Sequence, residues 1–228
     1  MSKTYVIYYG WLAEENGKPS VEAERIACAH VPLLIAPLMT AKPAGHVNLN
    51  PAVISRMHAS GTEVFAYVDT EYATIPVKVA KRAVSDALGA GVDGIFYDQT
   101  TASPQGASLD YYTALSASAK AAGKTIIANV GVTQCGSTLM RFADRVMLEH
   151  KWRNLANASP WTVHRPAETF MGVSSDEENA MGYAMDEKRA VADTREAWER
   201  NIGWHTSTEL YRHLPAWFES YLVALRTA

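Results

Sequence analysis

Short runs of β-branched and aromatic residues recur along this chain, each followed by a helical pattern, at a spacing of roughly 20–35 residues that fits a βα unit and not a hairpin. Eight such runs are legible: Tyr5–Tyr9, Leu33–Pro37, Glu63–Val68, Gly94–Asp98, Thr125–Asn129, Arg145–Glu149, Thr169–Val173 and Asn201–His205. Five of them have a helical segment of ten or more residues behind them. Eight alternations with mostly apolar strands predict the α/β class and a single (β/α)8 TIM barrel over residues 1–228. An open doubly wound sheet would also bury parallel strands between helices, but it needs a ligand fingerprint after strand one. Gly10-Trp11-Leu12 supplies no glycine-rich phosphate turn there. The segment Gly89–Gly94 does spell G-x-G-x-x-G, yet it follows a helical pattern and opens a strand, the reverse of the dinucleotide arrangement.

Helix boundaries are marked by caps. Ser20 precedes a first turn carrying Glu22 and Glu24, Asn50-Pro51 reads as N-cap and first helical residue, and Asp176 opens a long helical stretch over Glu177–Arg200. Gly61, Gly91 and Gly123 each sit between a helix and the next strand, where a left-handed residue ends the helix. Connections after strands are longer and carry the polar and aromatic residues, as in Thr40–Asn50 and Thr100–Leu109. That asymmetry places any site at the C-terminal ends of the strands.

Charge and composition narrow the function. The 228 residues carry 21 Lys and Arg against 24 Asp and Glu, with no long block of one sign. A nucleic-acid or anionic-membrane binder would show a basic stripe, so neither partner is expected. No run of about 18 apolar residues exists to span a bilayer. Met1-Ser2-Lys3-Thr4 enters the first strand without a secretory h-region, so a cytoplasmic or phage-associated protein is expected. Two cysteines, Cys28 and Cys135, are too few and isolated for a disulfide framework or a metal knuckle. No phosphate-loop lysine or His-Glu-x-x-His motif occurs, and neither cofactor nor metal is expected.

Chemistry is carried by acids at strand ends. Strand three ends in Tyr67-Val68-Asp69-Thr70-Glu71-Tyr72, strand four in Phe96-Tyr97-Asp98-Gln99, and strand six in Met147-Leu148-Glu149-His150. Three strands thus deliver carboxylates to one rim, where two of them can divide the parts of acid and of base or nucleophile. Glycoside hydrolysis needs that pair, and Tyr9, Trp11, Tyr67, Tyr72, Tyr97, Trp152 and Trp204 would offer stacking faces for sugar rings. Each acid also has a bland reading: Asp caps and accepts in loops, and Glu149 could pair with Lys151 or Arg153. Asp98 stands apart because the run it ends is otherwise apolar. His150, His205 and His213 read most simply as loop hydrogen-bonding residues.

Five segments, in order, resemble the spherulin-4-like glycoside hydrolases, a (β/α)8 family related to the polygalactosaminidase-type enzymes. They are Gly61 to Tyr72, Gly91 to Gln99, Asn129-Val130-Gly131, Met147-Leu148-Glu149, and Trp204-His205-Thr206 with Tyr211 and Leu214-Pro215. The resemblance implies a barrel acting on galactosamine-containing polysaccharide or oligosaccharide, with the family's strand-four Asp at Asp98 and its strand-six Glu at Glu149. It implies sugar contacts from Gln99 and Asn129. Three positions depart from the pattern: the acid after the strand-four Asp is Gln99, the strand-three His is Asp69, and the strand-five Pro is Val130. If Asp69 supplies the missing acid the chain is a glycosidase. If not, a catalytically silent carbohydrate-binding or structural barrel is the alternative, and an intracellular enzyme acting on a small sugar-like metabolite is a third.

Overall fold

The computed structural model describes residues 3–40, 46–157, 160–162, 164–175 and 185–227. Its parallel strands are β1 (Lys3–Thr4), β2 (Val6–Ile7), β3 (Leu33–Pro37), β6 (Glu63–Asp69), β7 (Gly94–Asp98), β8 (Thr125–Asn129), β9 (Arg145–Met147), β10 (Phe170–Ser175) and β11 (Trp204–Thr208). A small antiparallel pair, β4 (Met39–Thr40) and β5 (His46–Val47), lies outside the main sheet. The sheet runs β1-β11-β10-β9-β8-β7-β6-β3-β2. β1 pairs with β11 and β2 with β3, and only Tyr5 separates them. The first strand therefore passes from one neighbour to the other at Tyr5 and closes eight strand positions into a barrel. The buried Tyr5 hydroxyl reaches across to donate to the Gly172 carbonyl at 3.0 Å.

Alternation along each strand sorts side chains into two cores. Tyr5, Ile7, Leu33, Ile35, Phe65, Phe96, Ile127, Met147, Met171 and Trp204 fill the barrel interior. Val64, Ala66, Val68, Ile95, Tyr97, Ile126 and Ala128 face the helices. A Cβ at position 94 would lie 2.1 Å from the Phe65 ring, so only glycine lets that ring fill the lower barrel. Below it Arg145 enters the interior, its guanidinium 4.4 Å over the Trp204 ring.

The helices are α1 (Val21–Cys28), α2 (Pro51–Ala59), α3 (Val77–Ala90), α4 (Ala107–Ala121), α5 (Glu187–Glu199) and α6 (Phe218–Arg226). Ser20 and Asn50 cap α1 and α2 through their side chains as read from the sequence. Gly61, Gly91 and Gly123 are left-handed, with φ of 82°, 94° and 67°. Three readings need correction. Among the described residues only α3, α4 and α5 reach ten residues, and the segments after β8 and β9 form 3₁₀ turns at Ser137–Arg141 and Glu149–Asn157 in place of long helices. The last strand begins three residues later than Asn201, since Asn201 is itself left-handed at φ 66° and ends the α5 turn. The α5 cap is Asp186, whose carboxylate accepts from the Arg189 amide, whereas Asp176 lies outside the described residues.

Candidate active site

The C-terminal ends of the first strand, β7, β8, β9 and β10, with the loop after β11, enclose a cavity of about 310 Å³ lined by Tyr9, Asp98, Asn129, Glu149, His150, Tyr211 and Arg212 over a floor of Ile7, Phe96, Met147 and Val173. Strand register puts the acids there. Asp98 ends β7 on the inward side, next to Asp69 on β6. Asn129 ends β8, and Glu149 follows β9 after Leu148, whose amide still pairs with the Met171 carbonyl at 2.9 Å.

Asn129 joins the two carboxylates. Its Nδ2 donates to Asp98 Oδ1 at 2.6 Å and also to Glu149 Oε1, while its Oδ1 accepts the Gly131 amide at 3.1 Å and fixes which way the amide faces. Two oxygens bonded to one nitrogen are at most two hydrogen-bond lengths apart, roughly 6 Å. The Tyr67 hydroxyl donates to the other Asp98 oxygen at 2.7 Å, so both oxygens of Asp98 are held. Burial and then the Asp98 charge push the Tyr67 and Tyr9 phenols well above their ordinary range, which keeps both protonated near neutral pH. Tyr9 packs edge-on to Tyr67 at 5.3 Å and against Tyr211 at 5.4 Å, forming one aromatic wall. The Tyr211 hydroxyl lies 3.3 Å from His150 Nε2. Among the described residues no group of three His, Cys, Asp or Glu side chains is placed to hold a metal ion.

Of the expected site residues, the structure brings Asp98, Glu149, Asn129, Tyr9 and Tyr67 together. Asp69 sits on the rim but does not line the cavity, and its Oδ1 accepts the Glu71 amide at 3.0 Å. Gln99 is exposed beside Asp98, and Trp11 and Tyr72 are exposed outside the cavity. Trp152 and Trp204 are corrections. Trp152 is fully buried outside the barrel wall, over Gly172 and edge-on to His205 at 5.0 Å. Trp204 opens β11, so it fills the opposite end of the barrel. Arg153 does not pair with Glu149 but turns to Asp193 and Glu196 on α5. Tyr211, which the sequence marks only within the closing segment of the family resemblance, and Arg212, which it does not mark, enter the cavity from the loop after β11. His205 faces outward, buried against Thr194 of α5.

Residues 45–225 match the model of Spherulin4, the spherulation-specific family 4. Among solved structures, Aspergillus clavatus Sph3 in complex with GalNAc superimposes with a TM-score of 0.66 at 15% identity, over 98% of this chain and 97% of that one. A chitinase from Chromobacterium violaceum gives 0.64 at 11% identity over 100% of both chains. Active domain 2 of a Pyrococcus furiosus chitinase, crystallised as catalytic-site mutants with chito-oligosaccharides, gives 0.61 at 11% over 100% and 95%. At these identities the likeness is one of fold, a TIM barrel. No curated protein matches the chain in sequence.

Proposed function

The chain belongs to spherulation-specific family 4, and from that premise we propose that it is a glycoside hydrolase acting on an amino-sugar polymer, with Asp98 and Glu149 as its paired carboxylates. The observation that carries this reading is the Asn129 amide donating to both acids inside one cavity. Barrel neighbours crystallised with GalNAc or chito-oligosaccharides support the substrate class.

The spacing favours retention of configuration. Inverting enzymes keep their carboxyl groups about 6.5–9.5 Å apart to admit a water, and retaining enzymes about 5–5.5 Å. Oxygens sharing one nitrogen, at most roughly 6 Å apart, fall short of the inverting range. One carboxyl group then protonates the glycosidic oxygen as the bond to the anomeric carbon breaks, while the other carboxylate bonds to that carbon. The first group next takes a proton from water, whose oxygen displaces the carboxylate and restores both acids. Asp98, with both oxygens hydrogen-bonded, is held in orientation by Tyr67 and Asn129. The aromatic wall of Tyr9, Tyr67 and Tyr211 faces the apolar side of the bound ring. Gln99 does not line the cavity, so the amide at that position removes no carboxylate from the reacting centre.

The test is hydrolysis of galactosamine- and N-acetylgalactosamine-containing polymers by wild type, Asp98→Asn and Glu149→Gln, followed as new reducing ends. Turnover in the wild type that falls by at least about 100-fold in each variant, with melting temperatures retained, is expected for acid–base groups. A wild type that binds these polymers without cleaving them overturns the hydrolase in favour of a binding barrel.

A further inference from the structure

Non-glycine residues seldom adopt positive φ, because the left-handed region crowds Cβ against the backbone. Seven do so among the described residues, and five of them, Glu71, Tyr72, Ala73, Gln99 and Glu149, lie on the rim around the two acids. Glu71, Tyr72 and Ala73 are consecutive, at φ 41°, 57° and 70°, a full left-handed turn built without glycine. The turn is held by its surroundings. The Glu71 amide donates to Asp69 Oδ1 at 3.0 Å, the Tyr72 amide to the Gln99 carbonyl at 2.7 Å, and the Ala73 amide to the Thr70 carbonyl at 2.9 Å. Thr101 Oγ1 donates to the Tyr72 carbonyl at 3.2 Å. These bonds tie the turn to the segment that carries Asp98.

What the turn presents is an aromatic ring in solvent: Tyr72 is 61% exposed. Strain of this kind persists only where the fold over-determines it, and such sites cluster at ligand clamps. Gln99, also left-handed and exposed, stands between Tyr72 and Asp98 with an amide that can donate and accept. The cavity itself, at about 310 Å³, is at the small end of ligand pockets, so a sugar chain must continue beyond it.

We propose that Tyr72 and Gln99 form a second carbohydrate subsite, which holds the pyranose next along the chain from the one in the Asp98–Glu149 cavity. The ring's apolar face stacks on Tyr72 and its hydroxyl or acetamido group bonds to the Gln99 amide. This rests on the carbohydrate reading of the cavity and adds that the site reads chain length.

The experiment measures binding, not turnover, in a Glu149→Gln parent, using N-acetylgalactosamine and its tetrasaccharide as probes in calorimetric titrations. The parent should bind the tetrasaccharide more tightly than the monosaccharide. Adding Tyr72→Gly should lower that ratio of affinities by roughly 3–10-fold, the worth of one stacked aromatic face. The same change should raise the melting temperature by about 2–4 °C, since glycine relieves the left-handed turn. Gln99→Ala should lower the ratio in the same direction. An unchanged ratio, a parent without chain-length preference, or a Tyr72→Gly variant that melts lower would overturn the subsite. A chain that shows the ratio but never cleaves would sink the hydrolase reading alone.

Discussion

The Tyr67 hydroxyl donates to Asp98 Oδ2 at 2.7 Å, and the Asp98 charge in turn is among the causes that hold the Tyr67 phenol protonated far above its ordinary range. The two residues lie on adjacent strands, with Tyr67 one pleat below Asp69, the register partner of Asp98. Tyr67→Phe keeps the ring and removes the donor. A hydrogen bond to a charged group contributes about 1.5–3 kcal/mol, so turnover should fall roughly 10–100-fold. Separate kcat and KM measurements check this. A loss confined to KM would mean that Tyr67 contacts sugar without orienting Asp98.

Gly131 controls the other acid. It is left-handed at φ 61°, its amide bonds to Asn129, and a Cβ there would lie 3.1 Å from Glu149 Oε2. Gly131→Ala should cost about 1–2 kcal/mol of stability through backbone strain and displace the Glu149 carboxylate from its shared nitrogen. The expected outcome is a marked loss of kcat with a fall in melting temperature of only a few degrees.

These two relationships mark how far the sequence could be read. Strand placement followed from apolar runs and turn glycines, and Asp98 stood out as a charge ending the buried run Gly94–Asp98. Asn129 was visible only through the family resemblance, because nothing in an amide at a strand end announces that it bridges two acids. Trp152 and Trp204 are buried core residues that the sequence does not separate from sugar-stacking aromatics. Aromatics suit a sugar platform and a core equally, and only the pleat decides: Trp204 opens its strand, and Trp152 lies on a 3₁₀ segment folded back over Gly172. The polar run Trp204–Thr208 is wholly buried and lacks the β-branched apolar pattern by which the other strands were found.

Asp69 offers a sharper comparison. Its carboxylate accepts the Glu71 amide and stays out of the cavity lining. An Asn side chain can accept the same bond through its oxygen. Asp69→Asn should therefore hold turnover to within about threefold, as expected of a residue that acts on the acids only as a neighbouring charge. A drop of 100-fold in kcat would place Asp69 among the reacting groups.

The last prediction concerns acid. His205 is fully buried, with Nδ1 2.9 Å from Thr194 Oγ1 and Nε2 3.3 Å from Ser174 Oγ. Burial, then the positive charges of Arg153 and His150, hold its pKa well below the ordinary histidine range. The unfolded chain gains a proton below about pH 6.5 that the native chain refuses, so this stability is present above that pH and is lost as pH falls. At pH 5 the loss from one such group approaches about 2 kcal/mol, or roughly 4–8 °C in melting temperature. Trp152 packs on His205 and belongs to the 3₁₀ segment that Glu149 opens, so loosening should reach the rim of the Asp98–Glu149 cavity early. Melting temperatures of wild type and His205→Gln between pH 5 and 8 test this. The wild type should lose stability across that range and the variant should show a shallower slope, whereas parallel slopes would assign the acid sensitivity to other groups.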